Sequence, residues 1–265
     1  MYNNFIQSNR QKKEGSRGIT VVFRSMWKVA KGKKIEVAMK MLKEESADHY
    51  VKDMINLAGQ WAFLRSNVLV RLYGIAFTSN ISMVLEYFKL GPLDQYLRES
   101  RNVQTVHLVQ AASNLASALW HLTENGIVHG NIRCRKLMVY THEAKTFSVK
   151  LTDPGIHTSY ASSEVHWIPI ECYSNLNYAK RSSEADVWSF GTTLWEIFMF
   201  GEEIKATDHN QLMRWYISGN RLSKPSSCLD EIYDLMVKCW DIDPHKRMKP
   251  QVIMRDINQL LYQLH

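Results

Sequence analysis

The segment His129-Gly-Asn-Ile-Arg-Cys-Arg-Lys136 decides the fold, because it opens an ordered series of short motifs. A predicted helix at residues 106–122 precedes it, with apolar side chains at helical spacing and Gly126 as its stop signal. Asp153-Pro-Gly155, Pro169-Ile-Glu171 and Asp186-Val-Trp-Ser-Phe-Gly191 follow in that order. Each motif alone is weak, whereas the series in this order and at these distances is specific.

Strand-like patterns dominate the sequence before Gly91. Runs rich in β-branched and apolar residues predict four strands, at residues 20–23, 35–42, 68–73 and 81–87. One helix interrupts them at residues 48–64, because its apolar side chains fall on a single face. This part of the chain therefore predicts a small β-rich lobe that carries one helix.

Beyond Gly91-Pro92 the pattern is helical for most of the remaining chain. Ser182 predicts the N-cap of a helix that runs through Trp188 and Leu194. Later helices are predicted at residues 211–217, 229–240 and 251–264. The sequence thus predicts an α+β protein with a linker segment at 1–13, a β-rich N-lobe at 14–88 and a larger α-helical C-lobe at 89–265.

The composition is that of a globular domain, with 45% hydrophobic and 22% charged residues in a chain of 265. No apolar run approaches the ~20 residues that span a bilayer. The first residues are polar and basic, without the apolar core of a secretory signal, so we expect a cytosolic protein. The net charge of +7 lies partly at residues 10–13 and 31–34, which indicates either phosphate-rich partners or, for the second cluster, a solvated hairpin tip.

The four cysteines are far apart in sequence and form no Cys-x-x-Cys pair. This spacing disfavours a zinc site and indicates no disulfide framework. We therefore expect reduced, mostly structural thiols at Cys134, Cys172, Cys228 and Cys239.

The ordered motifs resemble the landmarks of protein kinases. Val37-Ala-Met-Lys40 is similar to the strand whose Lys contacts the nucleotide phosphates in that family. His129-Gly-Asn131, Asp153-Pro-Gly155 and Pro169-Ile-Glu171 resemble the H-R-D, D-F-G and A-P-E motifs. The resemblance runs from about residue 15 to residue 264 and implies a two-lobed protein-kinase fold, with residues 48–64 as its regulatory helix.

Residues 90–97, the stretch from Gly219 to Cys228 and Cys239-Trp240 resemble tyrosine kinases rather than serine/threonine kinases. Together with Trp167-Ile-Pro-Ile-Glu171, the altered catalytic motifs are similar to the pseudokinase domains of the Janus kinase family. Within that family, the chain most resembles a divergent insect member.

The resemblance implies that the catalytic loop, residues 129–136, has lost its chemistry. Asn131 stands where the family has its catalytic Asp, and an amide cannot take a proton at physiological pH. Gly130 replaces the Arg that would brace a phosphorylated activation segment, residues 156–168 here. Lys136 replaces the metal-binding Asn, and an ammonium has no lone pair for a cation. We therefore expect no catalytic residue, and Asp153 is the only candidate metal ligand.

The orientation of Lys136 stays open at this point. If the side chain points inward, it would face Asp153 and an ion pair would stand where magnesium usually binds. If it points outward, it is a solvated surface lysine.

The residues that would contact a nucleotide are also altered. Leu57 occupies the helix position of the Glu that would pair with Lys40, and neither Asp53 nor Asn56 has the reach to replace it, so Lys40 would turn to Asp153 or to a bound phosphate. The glycine positions of the phosphate loop become Gly15, Arg17 and Thr20, while Gly18 is out of register and is interpreted as a turn glycine. The hinge would be Glu86 and Tyr87, next to the apolar gatekeeper Leu85. The candidate nucleotide-binding residues are therefore Gly15, Arg17, Thr20, Lys40, Glu86, Tyr87, Lys136 and Asp153.

The residues that hold the large lobe together match the family. The resemblance pairs Glu171 with Arg247, places Asp186 under the catalytic-loop backbone and makes His129 a packed core residue. Thirteen residues lie between Gly155 and Pro169, fewer than an active tyrosine kinase uses as a substrate platform. Tyr160 in this segment is interpreted either as a phosphosite or as an exposed loop tyrosine.

The resemblance implies a regulatory domain that mainly restrains an adjacent tyrosine-kinase domain, in a non-receptor Janus-type kinase of cytokine-receptor JAK–STAT signalling. The alternatives are a nucleotide-binding sensor and a weakly active tyrosine kinase. ATP is the one expected cofactor, bound weakly and without magnesium. The expected partners are a C-terminal tyrosine-kinase domain of the same chain, preceding receptor-binding and phosphotyrosine-binding modules and, indirectly, a cytokine receptor tail, with no nucleic acid. The parent protein would be cytoplasmic and peripheral at membranes through its receptor.

A regulatory surface is the least constrained expectation. Phe5, Met54, Ile55 and Phe77 could form one apolar patch that reports on the position of the linker. Core packing explains each of the four equally well, so both interpretations stay open.

Overall fold

A computed structural model describes residues 13–28, 32–77, 81–100, 103–156, 160, 162–205 and 207–264. These residues form two compact units. The N-terminal unit contains the described residues of Met1–Arg65, Val70–Phe88 and Gly155–Thr158, and the C-terminal unit contains those of Ser66–Leu69, Lys89–Pro154 and Ser159–His265. The predicted α+β class is confirmed, because the first unit is built on a β-sheet and the second is mainly helical.

The N-terminal unit contains a five-stranded antiparallel sheet with the order β1-β2-β3-β5-β4. Its strands are β1 (Lys13–Arg17), β2 (Thr20–Lys28), β3 (Lys34–Leu42), β4 (Leu72–Phe77) and β5 (Ile81–Glu86). Alternate residues of the central strands are buried, and Val37, Met39 and Val84 form one apolar cluster. Lys33 and Lys34 of the basic cluster lie just before and at the start of β3, where Lys34 pairs with Lys28 at the end of β2, and Lys31 lies outside the described residues.

Helix α1 (Ala47–Ala62) packs one apolar face onto this unit. Met54, Leu57, Ala58 and Trp61 on that face are buried, whereas the apolar residues Ile55, Ala62 and Phe63 are exposed, so the single apolar face expected at residues 48–64 is only partly right. The indole Nε1 of Trp61 donates to Val70 O at 2.8 Å, which ties the last turn of α1 to the approach of β4. This hydrogen bond satisfies the one polar atom of a fully buried indole.

The strand predicted at residues 68–73 is wrong in its position, because β4 begins only at Leu72. Val68, Leu69 and Val70 are buried but lie before β4. Val68 O accepts from Leu151 N at 2.9 Å, and Leu69 forms an isolated parallel bridge with Leu151, within the C-terminal unit. An apolar run alone does not distinguish a strand of a sheet from a buried connecting segment that forms only an isolated bridge.

The C-terminal unit contains six helices among the residues that the structure describes. They are α2 (Leu93–Glu99), α3 (Thr105–Glu124), α4 (Ser183–Phe198), α5 (His209–Ile217), α6 (Asp230–Cys239) and α7 (Pro250–Gln263). A two-stranded sheet, β6 (Leu137–His142) and β7 (Phe147–Leu151), follows α3. The predicted helices after residue 91 are confirmed to within a few residues at each end.

Helix boundaries in this unit follow local signals in the sequence. The Ser182 side chain accepts a hydrogen bond from Ala185 N at 3.1 Å, so it caps α4 as predicted. Gly126 ends α3 with a φ of +66°, a backbone conformation that glycine adopts without strain.

The core of the C-terminal unit lies around α4, where nearly every side chain is buried. Trp188 donates its Nε1 proton to His166 O at 3.0 Å, and Trp240 donates to Thr192 Oγ1 at 3.0 Å. Gly191 permits the close approach of α6, because a Cβ at this position would lie 2.9 Å from Cys239 Cβ. Both tryptophans are therefore held by packing and by a satisfied donor.

All four cysteines are buried and unpaired with one another, and burial raises the pKa of the Cys172 thiol to about 12. Within the described ranges, no group of three or more His, Cys, Asp or Glu side chains could hold a metal ion. No helix in the part of the chain that the structure describes combines the length and apolar character of a membrane span.

Candidate functional site

The catalytic loop lies between α3 and β6, and its first residues are fixed by Asp186 on the first turn of α4. The Asp186 carboxylate accepts from His129 N at 2.6 Å and from Gly130 N at 2.8 Å. Complete burial raises the pKa of Asp186 to about 7, while these two backbone donors favour the charged form. The structure thus places Asp186 directly under the loop backbone, where the resemblance put it.

Three side chains of the catalytic loop donate to three consecutive carbonyl oxygens. His129 Nε2 lies 2.8 Å from Thr152 O, Lys136 Nζ donates to Asp153 O at 3.0 Å, and Asn131 Nδ2 donates to Pro154 O at 2.6 Å. The backbone continues the contact, since Thr152 N donates to Lys136 O at 2.8 Å. We call these three contacts the carbonyl ladder. It holds the backbone of residues 152–154 against the loop.

His129 is a buried part of this ladder. Its Nδ1 accepts from Asn131 N at 3.2 Å, so Nε2 carries the proton that is donated to Thr152 O. Only 3% of the residue is exposed. The geometry is that of a neutral, fully bonded core histidine.

Asn131 is 3% exposed and uses its amide as a donor. An ionised carboxylate at this position has no proton to give, and its oxygen would face the Pro154 carbonyl oxygen at hydrogen-bond distance. The other amide atom, Oδ1, is buried and has no hydrogen-bond partner in the described part of the chain. The residue therefore binds backbone and offers no group that accepts a proton at neutral pH.

Lys136 points inward, which settles the orientation that the sequence left open. Its side chain is half-buried and its ammonium group donates to the backbone oxygen of Asp153, whose own side chain is 2% exposed. A cation at this position repels a metal ion and supplies no lone pair. The Lys136 and Asn131 side chains, both of them donors here, do not fit a magnesium ion beside Asp153.

Gly130 adopts a left-handed conformation with a φ of +67°. A Cβ here would lie 2.8 Å from Lys180 Cα, so a side chain would strain the loop and displace a neighbouring backbone. Gly130 O accepts from the Tyr160 hydroxyl at 2.7 Å. The space beside Gly130 is therefore filled by the activation segment and by residue 180.

The interpretation of Tyr160 as an exposed loop tyrosine is wrong. Its ring packs on the cluster that contains Ile168 and Cys172, and the Lys180 ammonium lies 5.4 Å from the ring centroid. Burial raises the pKa of the Tyr160 hydroxyl well above its usual range. The sequence places this tyrosine in a loop but does not show that its hydroxyl has a backbone acceptor inside the same unit.

Glu171 and Arg247 form a two-pronged ion pair. Arg247 Nη1 and Nη2 lie 2.7 and 2.9 Å from the two carboxylate oxygens of Glu171. The same guanidinium donates to Glu184 O and Asp241 O and lies 5.1 Å from a Trp188 ring. Because 1% of the Arg247 side chain is exposed, this residue joins four chain segments in a dry environment.

In the N-terminal unit, Lys40 lies on β3 between Val22 of β2 and Met83 of β5, and is 6% exposed. Helix α1 turns Leu57 inward, whereas Asp53 and Asn56 are exposed. The inward helix position therefore carries a leucine where the resemblance would place a carboxylate. The turn of Lys40 toward Asp153 or a phosphate stays a prediction.

The β1–β2 hairpin carries the three phosphate-loop positions. Gly15 pairs with Val22 and Arg17 pairs with Thr20, so the strands are joined by a two-residue turn. Gly18 is in that turn with a φ of +52°, as a turn glycine requires.

The predicted hinge, Glu86 and Tyr87, begins at the last residue of β5. Leu85 is 6% exposed, and the Glu86 carboxylate accepts from Arg71 N at 3.2 Å. The Arg24 guanidinium lies 5.1 Å from the centroid of the Tyr87 ring. The side chains of the hinge are thus held by contacts inside their own unit.

The comparisons with known proteins agree with this geometry. The family described as "Protein tyrosine and serine/threonine kinase" matches residues 8–257. The chain belongs to the protein kinase family. It is 31% identical to tyrosine-protein kinase hopscotch of Drosophila melanogaster over 234 residues, which are 86% of this chain and 20% of that protein. It is 30% identical over 240 residues to tyrosine-protein kinase SYK of Gallus gallus, covering 85% of this chain and 38% of that kinase.

The kinase domain therefore spans about a fifth and about two-fifths of the length of these two relatives. Both are named as tyrosine-protein kinases, which agrees with the tyrosine-kinase character of the motifs. The relation to hopscotch matches the insect resemblance that the sequence suggested.

The regulatory patch needs correction. Met54 is completely buried in the N-terminal unit, so it cannot form part of a surface. Ile55 and Phe77 are 43% and 74% exposed, and Phe5 lies outside the described residues. The expectation failed for Met54 because adjacent positions on one helix point in different directions.

Sequence reasoning missed a charged network around Arg133 in the kinase domain. Arg133 Nη1 donates to Glu164 Oε1 at 2.8 Å, and Arg135 donates to the same oxygen. Glu196 accepts from Cys134 N at 2.8 Å and Trp167 Nε1 at 3.1 Å. The sequence carries no local signal for this pairing, because Arg133 and Glu164 are 31 residues apart and each alone is typical of a solvated surface.

Proposed function

We propose that this chain is a catalytically deficient kinase domain that regulates, mainly by restraint, a tyrosine-kinase domain in a longer Janus-type protein. The observation that carries the proposal is the direction of the Asn131 hydrogen bond. The residue in the position of the catalytic base donates a proton to Pro154 O instead of presenting an acceptor oxygen to a substrate hydroxyl.

Magnitudes favour this function over that of a weakly active kinase. Loss of a general base costs about 10²–10⁴-fold in rate. The Lys136 ammonium adds a second defect, because it places a cation beside the one candidate metal ligand, Asp153. Catalytic losses at positions that serve one step are not simply additive, but each defect alone is sufficient to make transfer slow.

The regulatory part of the proposal is supported by the length of the two relatives, because the chain matches only part of each of them. The matched region is 20% of hopscotch and 38% of SYK, so a parent as long as hopscotch has room for an intact kinase domain and for receptor-binding and phosphotyrosine-binding modules. A cytoplasmic parent attached to a cytokine receptor tail is part of the same proposal.

Measuring tyrosine phosphorylation by the full-length parent tests the regulatory role. Phe77→Ala on the exposed end of β4 should change that activity at least twofold without affecting folding, because an exposed phenylalanine contributes little to the core. Phe63→Ala, also exposed and located at the end of α1, is the matched control. Equal parent activity in wild type and Phe77→Ala would remove this surface, and absence of an intact kinase domain from the parent would remove the regulatory role.

A nucleotide sensor is the second candidate, and the buried Lys40 on β3 favours it. A ligand at ~100 times its dissociation constant stabilises a fold by about 2.7 kcal/mol. We expect ATP to raise the melting temperature slightly and equally with magnesium or with a chelator. A large shift that requires magnesium would contradict the role given to Lys136.

A further inference from the structure

Among the described residues of the activation segment, Tyr160, Glu164 and Trp167 contact the catalytic loop through their side chains. Tyr160 donates its hydroxyl proton to Gly130 O at 2.7 Å. Glu164 accepts from Arg133 at 2.8 Å and from Arg135 through the same carboxylate oxygen. We call Tyr160, Glu164, Arg133 and Arg135 the clasp. All of its described contacts lie within the C-terminal unit.

The charged half of the clasp is largely shielded from water. The exposed fractions of the Arg133, Glu164 and Arg135 side chains are 3%, 11% and 20%. The Arg133 guanidinium also lies 5.2 Å from the centroid of a Trp167 ring. Trp167 belongs to the same short helix, Ser162–Trp167, as Glu164. Burial lowers the pKa of Arg133 to about 10, so the guanidinium is charged at neutral pH.

One carboxylate, Glu164, therefore forms ion pairs with both guanidinium groups, and the charge of Glu196 also favours the ionised form of Arg133. Removing the Glu164 carboxylate would leave two like charges close together with little access to water, which is costly. The nearby Glu196 carboxylate is engaged by Cys134 N and Trp167 Nε1 and lies at the base of the loop. The position of the activation segment is consequently coupled to the ionised side chain of Glu164.

Protein kinases commonly order this segment by adding a phosphate that pairs with arginine. In this chain the anion is encoded in the sequence, and the loop arginines that receive it are at positions 133 and 135 rather than at 130. A phosphate on Tyr160 would have the opposite effect, since it removes the proton that Gly130 O accepts and adds oxygen atoms that repel this carbonyl.

We propose that the clasp holds the activation segment on the catalytic loop without phosphorylation, with Glu164 acting as a permanent substitute for phosphate and with Tyr160 protected from modification. The inference goes beyond the proposed function, because the clasp orders the segment whether or not the domain transfers phosphate. The test measures the order of residues 160–168 and the access of a kinase to Tyr160. It can therefore fail while the proposed function holds, and the proposed function can fail while the clasp holds.

Hydrogen exchange on the purified domain tests the clasp. Glu164→Gln should speed exchange of peptides covering residues 160–168 by about tenfold, because the opening free energy falls when two buried charges lose their partner. Asp256→Asn, which removes one carboxylate from an exposed ion pair with Arg255, is the matched control and should change nothing. Peptides from β5 report whether the rest of the domain stays folded. Equal exchange of residues 160–168 in wild type and Glu164→Gln overturns the proposal.

Labelling by an added active tyrosine kinase provides the second readout. Tyr160 should be modified at least tenfold faster in Glu164→Gln than in wild type, relative to Tyr262, which is 84% exposed in the last helix. If Glu164→Gln does not fold, Tyr160→Phe removes only the hydroxyl and should still speed exchange of residues 160–168 about threefold. Unchanged exchange in Tyr160→Phe, or rapid labelling of Tyr160 in wild type, contradicts the clasp.

Discussion

Two sets of residues in the C-terminal unit have opposite hydrogen-bonding roles. At the anchor positions, the Asp186 carboxylate accepts from loop N–H groups and the Glu171 carboxylate accepts from Arg247. At the positions that would carry chemistry, Asn131 and Lys136 donate to carbonyl oxygens. Acceptors remain where they support the fold, while donors replace acceptors where a base and a metal ligand would be required. This difference supports the proposed function, in which the anchors of a kinase fold are kept while its reactive groups are changed.

The largest effect is expected at an anchor. Arg247→Ala should lower the free energy of unfolding by about 3–5 kcal/mol, because it leaves the Glu171 carboxylate and two backbone carbonyls without their donor. Urea denaturation followed by fluorescence measures it. Arg255→Ala at an exposed ion pair is the control and should cost about 0.5 kcal/mol or less. Similar costs for both variants would show that the anchor set contributes no more than surface charges.

Acid should lower the free energy of unfolding through protonation of His166, whose backbone oxygen accepts from Trp188 in the core of the C-terminal unit. Burial lowers the pKa of His166 to about 4, below its unfolded value of about 6.5. Its contribution to stability is therefore present above pH ~6.5 and is lost as the pH falls through about 4, by about 3 kcal/mol at most.

The quantity to measure is the unfolding free energy of wild type minus that of His166→Gln across this pH range. Subtraction removes the contributions of Asp186 and Glu196, which are present in both proteins. Burial raises the pKa values of these two carboxyl groups to about 7, so their contribution to stability is lost as the pH rises, opposite to that of His166. His209→Gln, an exposed control, should keep the wild-type slope. A slope that is identical in wild type and His166→Gln would contradict a buried neutral histidine.

A smaller effect is expected at the carbonyl ladder. Asn131→Asp should destabilise the domain by about 1–3 kcal/mol, because the charged oxygen cannot donate to Pro154 O and faces it instead. It should restore no transfer, since Lys136 remains beside Asp153. Gln60→Glu on the exposed face of α1 controls for the added charge and should be within about 0.5 kcal/mol of wild type. If Asn131→Asp is both more stable than wild type and active, the main role of residue 131 is not to donate to Pro154 O.

The sequence predicts the anchors better than the ladder, for a physical reason. Periodic apolar residues and the Ser182 cap specify α4 locally, and packing then determines where Asp186 lies. That residue 131 carries an amide rather than a carboxylate is visible from residue type alone. The direction of its amide is not, because an asparagine both donates and accepts and only the folded backbone of residues 152–154 selects the donor.

Other features needed long-range information. The run at 68–73 has strand composition, yet the bridge to Leu151 places its first half outside the ladder. Glu164 looks like a solvated loop acid until Arg133 and Arg135 are brought to it. Met54 and Ile55 are adjacent and equally apolar, and only the packed helix shows which one is buried.

Transfer of radioactive phosphate from ATP to a tyrosine peptide by the purified domain is the most direct test. The account predicts incorporation no greater than that of an Asp153→Asn sample prepared in the same way, with magnesium present. Turnover in the range of ordinary kinases, about 1–100 s⁻¹, that disappears in Asp153→Asn would contradict it.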